Sequence, residues 1–330
     1  MGLRADQKIV IVTRKTRLEE LIERFNTREQ ARFYVKRARE NMEVGRGKQL
    51  AKVELLAEAD FAAYEDEHNA YHESLKQVRS SMELGIKVQV IDRAFLPNFL
   101  FGASDIVVTV GQDGLVANTA KYALGLPIVA VNPDPARYDG ILLPYRPEEA
   151  AGAAALAINN RGNIKRVTLA EATLNDGQKL LAFNDLFIGN RTHISARYRI
   201  ESCGKDECHS SSGILVSTGA GSTGWLSSVF NMAAGITQIA GHRTAFQPLR
   251  MPWDDPRLFF VVREPFLSKA SGISIAAGMI ESGNALTIES QMPANGVIFS
   301  DGVESDYLAF NSGAIASIHA AKEQALLMVK

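Results

Sequence analysis

Three short apolar runs constrain this chain more than any other feature: Lys8-Ile9-Val10-Ile11-Val12, Asp105-Ile106-Val107-Val108-Thr109-Val110 and Leu126-Pro127-Ile128-Val129-Ala130-Val131. Each is shorter than an ordinary helix and rich in β-branched residues, so each reads as a strand; the first has the continuous apolar pattern of a strand covered on both faces. Ile86-Lys87-Val88-Gln89-Val90-Ile91 adds a fourth short strand. Helical stretches separate them. A charged one follows the basic turn Thr13-Arg14-Lys15-Thr16-Arg17, and a long one runs from about Gln49 to Glu83. In the long stretch Tyr71, Leu75, Val78 and Met82 recur at helical spacing as core packing, and Gly85 suits a left-handed cap. A third stretch runs from Val116 to Leu124. Strand and helix in alternation predict a parallel sheet with helices on its faces.

Beyond an Ala-rich helix near Glu148 to Ile158 the pattern changes. Short stretches such as Leu180-Phe183, Ala196-Ile200 and Gly213-Ser217 are separated by Gly, Asn, Ser and Asp turns, which predicts a mostly β half. The polar cluster Asn159-Asn160-Arg161-Gly162 has the composition of a linker. The expected organisation is an α/β, Rossmann-like N-terminal domain over residues 1–158, joined by the C-terminal segment 313–330, and a β-rich domain over 159–312. A length of 330 residues fits two domains, or one large α/β domain with a second layer.

Composition excludes several classes of function. Hydrophobic residues at 46% against 22% charged are too apolar for a disordered chain, and 36 basic against 37 acidic residues leave no positive excess for a polyanion. Nucleic acid is not expected as a partner. The first residues reach Lys8 without an apolar run, so no signal peptide is expected, and Asp6 stands where a myristoylation signal wants Ser or Thr. No run approaches the roughly 20 apolar residues of a membrane span. Two cysteines, Cys203 and Cys208, are too few for a disulfide framework, and the expected location is the cytoplasm.

The chemistry concentrates where the Asp105–Val110 run enters Gly111-Gln112-Asp113-Gly114. Ligands of open α/β sheets sit beyond the carboxyl ends of strands, and glycines there let phosphate approach backbone at a helix start. Asp113 could orient an acceptor hydroxyl or take its proton. The same four residues also suit a tight strand-to-helix turn with Asp113 as a cap.

Five ordered segments resemble those of the NAD kinase family. Gly111-Gln112-Asp113-Gly114-Leu115 is similar to its Gly-Gly-Asp-Gly-Thr signature, and Val131-Asn132-Pro133-Asp134-Pro135 with Asp139-Gly140-Ile141-Leu142 is similar to its next loop. Asn184-Asp185 stands where the family has Asn-Glu. Ser217-Thr218-Gly219-Ala220-Gly221-Ser222-Thr223-Gly224-Trp225 resembles Ser-Thr-Pro-Thr-Gly-Ser-Thr-Ala-Tyr, and Ser300-Asp301-Gly302 its late Asp-Gly. Lys15-Thr16-Arg17, Phe187-Ile188-Gly189, Arg263-Glu264-Pro265 and Phe310 to Ser317 resemble the mitochondrial type in particular.

The resemblance implies a kinase that moves the terminal phosphoryl group of ATP, carried with Mg²⁺, onto the 2'-hydroxyl of NAD to give NADP. It also implies nucleotides as partners, a homodimer, and no resident metal. Asp113 is then the catalytic residue. Gly111, Gln112, Gly114, Asn132, Asn184, Asp185, Thr218, Gly221, Ser222, Thr223, Trp225 and Asp301 bind substrate. Arg14, Lys15 and Arg17 are candidates for the donor phosphates, or else form a solvated charged turn. Four departures bear on this. Gln112 replaces a glycine, at a cost of about 1–2 kcal/mol if the position needs positive φ. Leu115 replaces a threonine and so deletes a hydroxyl. Asp185 is one methylene shorter than glutamate, and Ser212 stands where many bacterial members have Asp. A non-catalytic dinucleotide-binding protein is therefore the second reading, and a kinase of a lipid or another alcohol the third.

Three further patterns point to structure. His68 and His72 lie four apart on the long helix, without the Glu of a zinc-protease motif, and read as a solvated face. Cys203, Cys208 and His209 flank Gly204-Lys205-Asp206-Glu207 and read as a β-hairpin, since a second ligand pair is missing. Gly45-Arg46-Gly47-Lys48-Gln49 lacks the spacing of a phosphate loop.

Overall fold

The computed structural model describes residues 7–44, 50–82, 85–241 and 249–330. Gly45 to Gln49 and Glu83-Leu84 therefore lie outside the described residues. The chain divides into two compact units: Met1–Val116 with Ile128–Asn163 and Met328–Lys330, and Ala117–Pro127 with Ile164–Leu327.

In the first unit, β1 (Lys8–Thr13), α1 (Arg17–Phe25), α2 (Arg28–Val44), α3 (Leu50–Ser81), β2 (Lys87–Asp92), β3 (Ile106–Val110), α4 (Asp113–Ala120), β4 (Pro127–Val131) and α5 (Ala150–Ile158) follow one another. The strands pair in parallel in the order β2-β1-β3-β4. All five residues of β3 are buried and so is the middle of β1, whereas β2, the strand with polar residues interspersed, is half-exposed at the edge. Tyr71 and Val78 of α3 and Met82 just past its end are buried against these strands with Leu75 packed beside them, as their spacing predicts. Gly85 has φ +73°, the left-handed conformation expected of it. Helix α1 begins on a capping box: Thr16 Oγ1 accepts from Glu19 N–H at 3.3 Å, and Glu19 Oε2 accepts from Thr16 N–H at 2.7 Å.

The second unit is mostly strand. It contains β5 (Asn163–Leu174), β6 (Lys179–Ala182), β7 (Asp185–Asn190), β8 (Ala196–Ser202), β9 (Lys205–Ser211), β10 (Ile214–Ser217), α6 (Trp225–Ile239), β11 (Leu258–Val262), β12 (Ala277–Ile280), β13 (Leu286–Ser290), β14 (Gly296–Ser300), β15 (Val303–Ala309) and β16 (Ile315–Val329). One sheet runs antiparallel in the order β12-β11-β10-β7-β14-β15. The other carries β16-β13-β8-β9, also antiparallel, with β5 beside β16 and β6. Their apolar faces share one core, in which Ile188, Tyr198, Ile200, Val216, Phe260, Ile288 and Phe310 are almost wholly buried. The Cys203 region is the hairpin expected, β8 to β9, turning through Cys203 at φ +52° and Gly204 at φ +74°. An α/β N-terminal region and a β-rich remainder are thus both present. No helix among the described residues is long and apolar enough to cross a membrane.

Candidate functional site

In the first unit the end of β3 delivers Gly111 to Gly114 to the start of α4. Gly111 N–H donates to Val131 O at 3.2 Å, which holds the loop beside the end of β4. The Asp113 carboxylate accepts the Leu142 N–H on Oδ1 at 2.8 Å, while Oδ2 has no hydrogen bond among the described residues of this unit. One oxygen is therefore fixed and the other is available for an acceptor hydroxyl.

The structure shows how the two substituted loop positions are accommodated. Gln112 does not adopt positive φ, so no left-handed strain arises there. Its side chain lies near the Tyr138 hydroxyl and holds that hydroxyl's pKa down against burial. Leu115 is buried at 2% exposure, and a Cβ built on Gly111 lies only 2.8 Å from its Cδ2. Leu115 thus packs inward under the loop, and a Cβ at 111 would have to displace the end of its side chain. Gly114 is exposed, with nothing within 4 Å of a built Cβ, so its backbone is open to approach.

The basic turn after β1 is tied to Glu67 and Tyr138. Arg14 Nη2 donates to Glu67 Oε1 at 2.9 Å and lies 3.4 Å from the Tyr138 hydroxyl, which itself donates to Glu67 Oε1 at 2.9 Å. Glu67 is 2% exposed. Burial pushes its carboxyl up, but hydrogen bonds from Arg14 and Tyr138 and the charges of Arg14 and Arg17 outweigh burial and hold it below the ordinary range. Arg14 is thus held mainly by Glu67. Lys15 pairs with Glu23 at 2.5 Å on the surface, and Arg17, mostly exposed, lies 3.7 Å from Glu67 Oε2. Asn132 is buried and shapes its own loop: Nδ2 donates to Tyr138 O at 2.9 Å and Oδ1 accepts from Asp134 N–H at 3.1 Å.

In the second unit Asp301 organises the remaining candidates. It sits in the turn after β14 at φ +54°, a conformation that Asp tolerates better than most side chains, and its carboxylate is fully buried. Oδ1 accepts N–H groups from Asn184 at 2.6 Å and Asp185 at 3.3 Å, and Oδ2 accepts from Phe183 at 3.0 Å. Lys121, 4% exposed, lies 3.8 Å from Oδ2 and donates to Ser300 Oγ at 2.7 Å. Burial raises Asp301 against the pull of Lys121 and the three N–H groups, and burial lowers Lys121 against the nearby Asp301 and Asp306 carboxylates. Asp185, 7% exposed, is pushed up to about 7, first by burial and then by the charge of Asp301. It sits between proton donor and proton acceptor near neutral pH, the condition that suits a group gripping and releasing hydroxyls.

The glycine-rich segment after β10 closes on the same backbone. Thr218 Oγ1 donates to Phe183 O at 2.6 Å, and Thr218 N–H to Asn184 O at 2.9 Å. A Cβ on Gly221 falls 2.0 Å from Asn184 O, and one on Gly219 falls 1.8 Å from Pro252 O, so backbone crosses backbone at both glycines. Ser222 Oγ donates to Gly219 O at 2.7 Å and accepts Met251 N–H at 3.2 Å. Thr223 is exposed. Trp225, half-buried, stacks on Phe187 with centroids 5.8 Å apart, and the Arg263 guanidinium lies 5.3 Å from its ring centre. These three side chains line a cavity of about 340 Å³ with Phe299, Tyr307 and Ser212.

The structure therefore gathers Asp113, Gln112, Asn132 and Arg14 in one unit, and Asn184, Asp185, Thr218, Gly221 and Asp301 in the other. Sequence reasoning missed Lys121, Glu67, Tyr138 and Arg263. Lys121 had a signal, since it is the one charged residue between Leu115 and Pro127. A lone charge in an apolar helix is buried only with a partner. Arg263 lay in the Arg263-Glu264-Pro265 segment without a role assigned, and Glu67 and Tyr138 carry no signal, because their partners are far away in sequence. His68 and His72 also differ from the plain solvated face expected: His68 is half-buried with Nδ1 2.9 Å from Thr16 Oγ1, and His72 Nε2 is 3.0 Å from Glu19 Oε1.

No protein-family model and no curated protein matches the chain. Solved structures do. Yeast NADH kinase, complexed with NADH, is 14% identical over 79% of this chain and 80% of that one, with a TM-score of 0.53. An NAD kinase from Archaeoglobus fulgidus, in complex with ATP, is 15% identical over 97% of this chain and 93% of that one, with a TM-score of 0.50. At such identities the likeness is one of architecture: the chain has the fold of the NAD and NADH kinases.

Proposed function

We propose that this protein is a kinase that transfers the terminal phosphoryl group of ATP to the 2'-hydroxyl of NAD, giving NADP and ADP. The observation that carries the reading is Asp113. It opens the helix that follows a wholly buried parallel strand in a fold of NAD and NADH kinases, one carboxylate oxygen is pinned by Leu142 N–H, and the loop backbone at Gly114 is open. The ribose oxygen attacks the γ-phosphorus, its proton passes to Asp113, and the bond to the β-phosphate oxygen breaks with ADP leaving as the anion. Little covalent work falls to the protein beyond that proton; positioning and neutralisation dominate. Asn184 and Asp185, held rigid by Asp301, grip the nucleoside and its hydroxyls. Trp225 offers a flat face for a ring, and Lys15 and Arg17 are the basic residues of the β1 turn that reach the donor phosphates. Mg²⁺ enters with ATP as part of the substrate.

The resemblance to the mitochondrial type, a homodimer and action in the cytoplasm belong to the same reading. The test is a coupled NADP-specific dehydrogenase assay on purified protein with Mg-ATP, other triphosphates or polyphosphate, and NAD or NADH. NADP(H) should form, and Asp113→Asn should abolish it while leaving the circular dichroism spectrum unchanged. Tight NAD binding in calorimetry with no turnover for any donor would replace the kinase with a binding protein. Phosphorylation of lipid but not NAD would change the acceptor.

A further inference from the structure

A second constellation lies outside the residues assigned above. Glu19 from the first turn of α1 meets His68 and His72, one helical turn apart on α3, so that one ligand atom from each falls within 4.8 Å of the others. The imidazole centroids are 4.3 Å apart. Histidines four apart share a helix face, which is the spacing that lets two imidazoles reach one ion. The third ligand comes from a different helix, delivered by the capping box of α1.

We propose that Glu19, His68 and His72 form a binding site for a divalent transition-metal ion of the zinc class, which joins α1 to α3. Three features fit a metal better than a chance surface cluster. The set is two imidazoles and one carboxylate, a borderline donor set that zinc takes readily while leaving a fourth position for water. His68 Nδ1 hydrogen-bonds Thr16 Oγ1 at 2.9 Å, and with Nε2 as the ligand that bond supplies the outer oxygen partner that ligating histidines commonly have. Glu19 divides its oxygens: Oε2 caps the Thr16 N–H at 2.7 Å, while Oε1 faces His72 Nε2 at 3.0 Å and can ligate without undoing the cap.

The distances are within reach. Zinc–nitrogen and zinc–oxygen bonds of about 2.0–2.2 Å in a tetrahedron put ligand atoms about 3.3–3.6 Å apart, so the widest separation here has to close by about 1.5 Å or less. His72 is the most exposed of the three, with 43% of its side chain accessible, and a rotation of its ring supplies that movement. The site needs no part of the proposed kinase chemistry, so its success or failure is independent of that reading.

The experiment is calorimetric titration of the full-length chain with Zn²⁺ after dialysis against chelator, with Co²⁺ absorption as a second probe. One equivalent should bind, with visible bands typical of low-symmetry nitrogen and oxygen coordination, and the thermal midpoint should rise with Zn²⁺. His72→Ala and Glu19→Gln should each weaken binding at least about tenfold, since even loss of an outer partner costs that much at metal sites. Glu19→Gln keeps an oxygen for the Thr16 cap, so a folding defect cannot mimic the loss. Cys203→Ser with Cys208→Ser removes both exposed thiols and should leave binding intact, as should His319→Ala. No saturable uptake of one equivalent would overturn the proposal. Uptake that survives His72→Ala and Glu19→Gln unchanged would overturn it equally, because the ion would then sit elsewhere.

Discussion

Gly221→Ala is the sharpest perturbation of the second unit. A Cβ there lies 2.0 Å from Asn184 O, 2.6 Å from Asn184 C and 2.8 Å from Ser217 Oγ, and two of those atoms are backbone that cannot swing aside. Relief requires Asn184 or the glycine segment to retreat by more than about 1 Å, given that real side-chain carbons stay beyond 3.0 Å. Such a retreat breaks the bonds that tie the segments together: Thr218 N–H to Asn184 O at 2.9 Å, Thr218 Oγ1 to Asn184 O at 3.2 Å, and Gly221 N–H to Thr218 Oγ1 at 3.1 Å. Losing two of them costs about 2 kcal/mol, and the overpacking itself adds about 1–3 kcal/mol, so the expected loss is about 3–5 kcal/mol. Both tryptophans, Trp225 and Trp253, belong to this unit, so intrinsic fluorescence reports its unfolding directly. With a urea slope of about 2 kcal/mol per molar, the midpoint should fall by about 1.5–2.5 M. Gly235→Ala, in α6 with open space around its built Cβ, is the matched control and should hold or raise the midpoint. A Gly221→Ala midpoint within about 0.3 M of the parent would refute the close crossing and the fixed position of Asn184 that depends on it.

Asp185 predicts a pH dependence of the same unit. Its folded pKa of about 7 exceeds the unfolded value near 3.8, so between these pH values the folded state holds a proton that the unfolded state lacks. Stability should fall as pH rises from about 4 to about 7 and level off above, by a few kcal/mol in all, and Asp185→Asn should flatten that slope and be the more stable form at pH 8. A parent and variant with parallel urea-midpoint profiles over pH 4–8 would count against this buried acid. Gly114→Ala separates stability from function: with no positive φ and nothing near its Cβ, it should stabilise the start of α4 by up to about 0.5–1 kcal/mol. If phosphate approaches backbone there, the same variant should lose NADP formation; a fully active variant would remove Gly114 from the site.

Much of the architecture was legible in the chain because it rests on local pattern. Short apolar runs rich in β-branched residues suit strands covered on both faces, so β1, β3 and β4 follow from composition over five residues, and the buried face of α3 follows from Tyr71 and Val78. Asp113 was legible for the same reason, as the first acid after a buried strand. What the chain by itself did not determine were the partners of side chains brought together from afar. That Gln112 takes no positive φ, and that Leu115 packs under Gly111, could not be read from the loop's sequence. Arg14 is held by Glu67, 53 residues away, and Lys121 by Ser300 and Asp301, some 180 residues away. Glu19 joins two histidines that sequence spacing alone left as a solvated face. Local periodicity reports how a segment meets water, and it determines strands and helices. The ionisation of Asp185, the posture of Asp301 and the convergence of Glu19 with His68 and His72 depend on desolvation and charge at distances of a few ångströms, which only the tertiary structure decides.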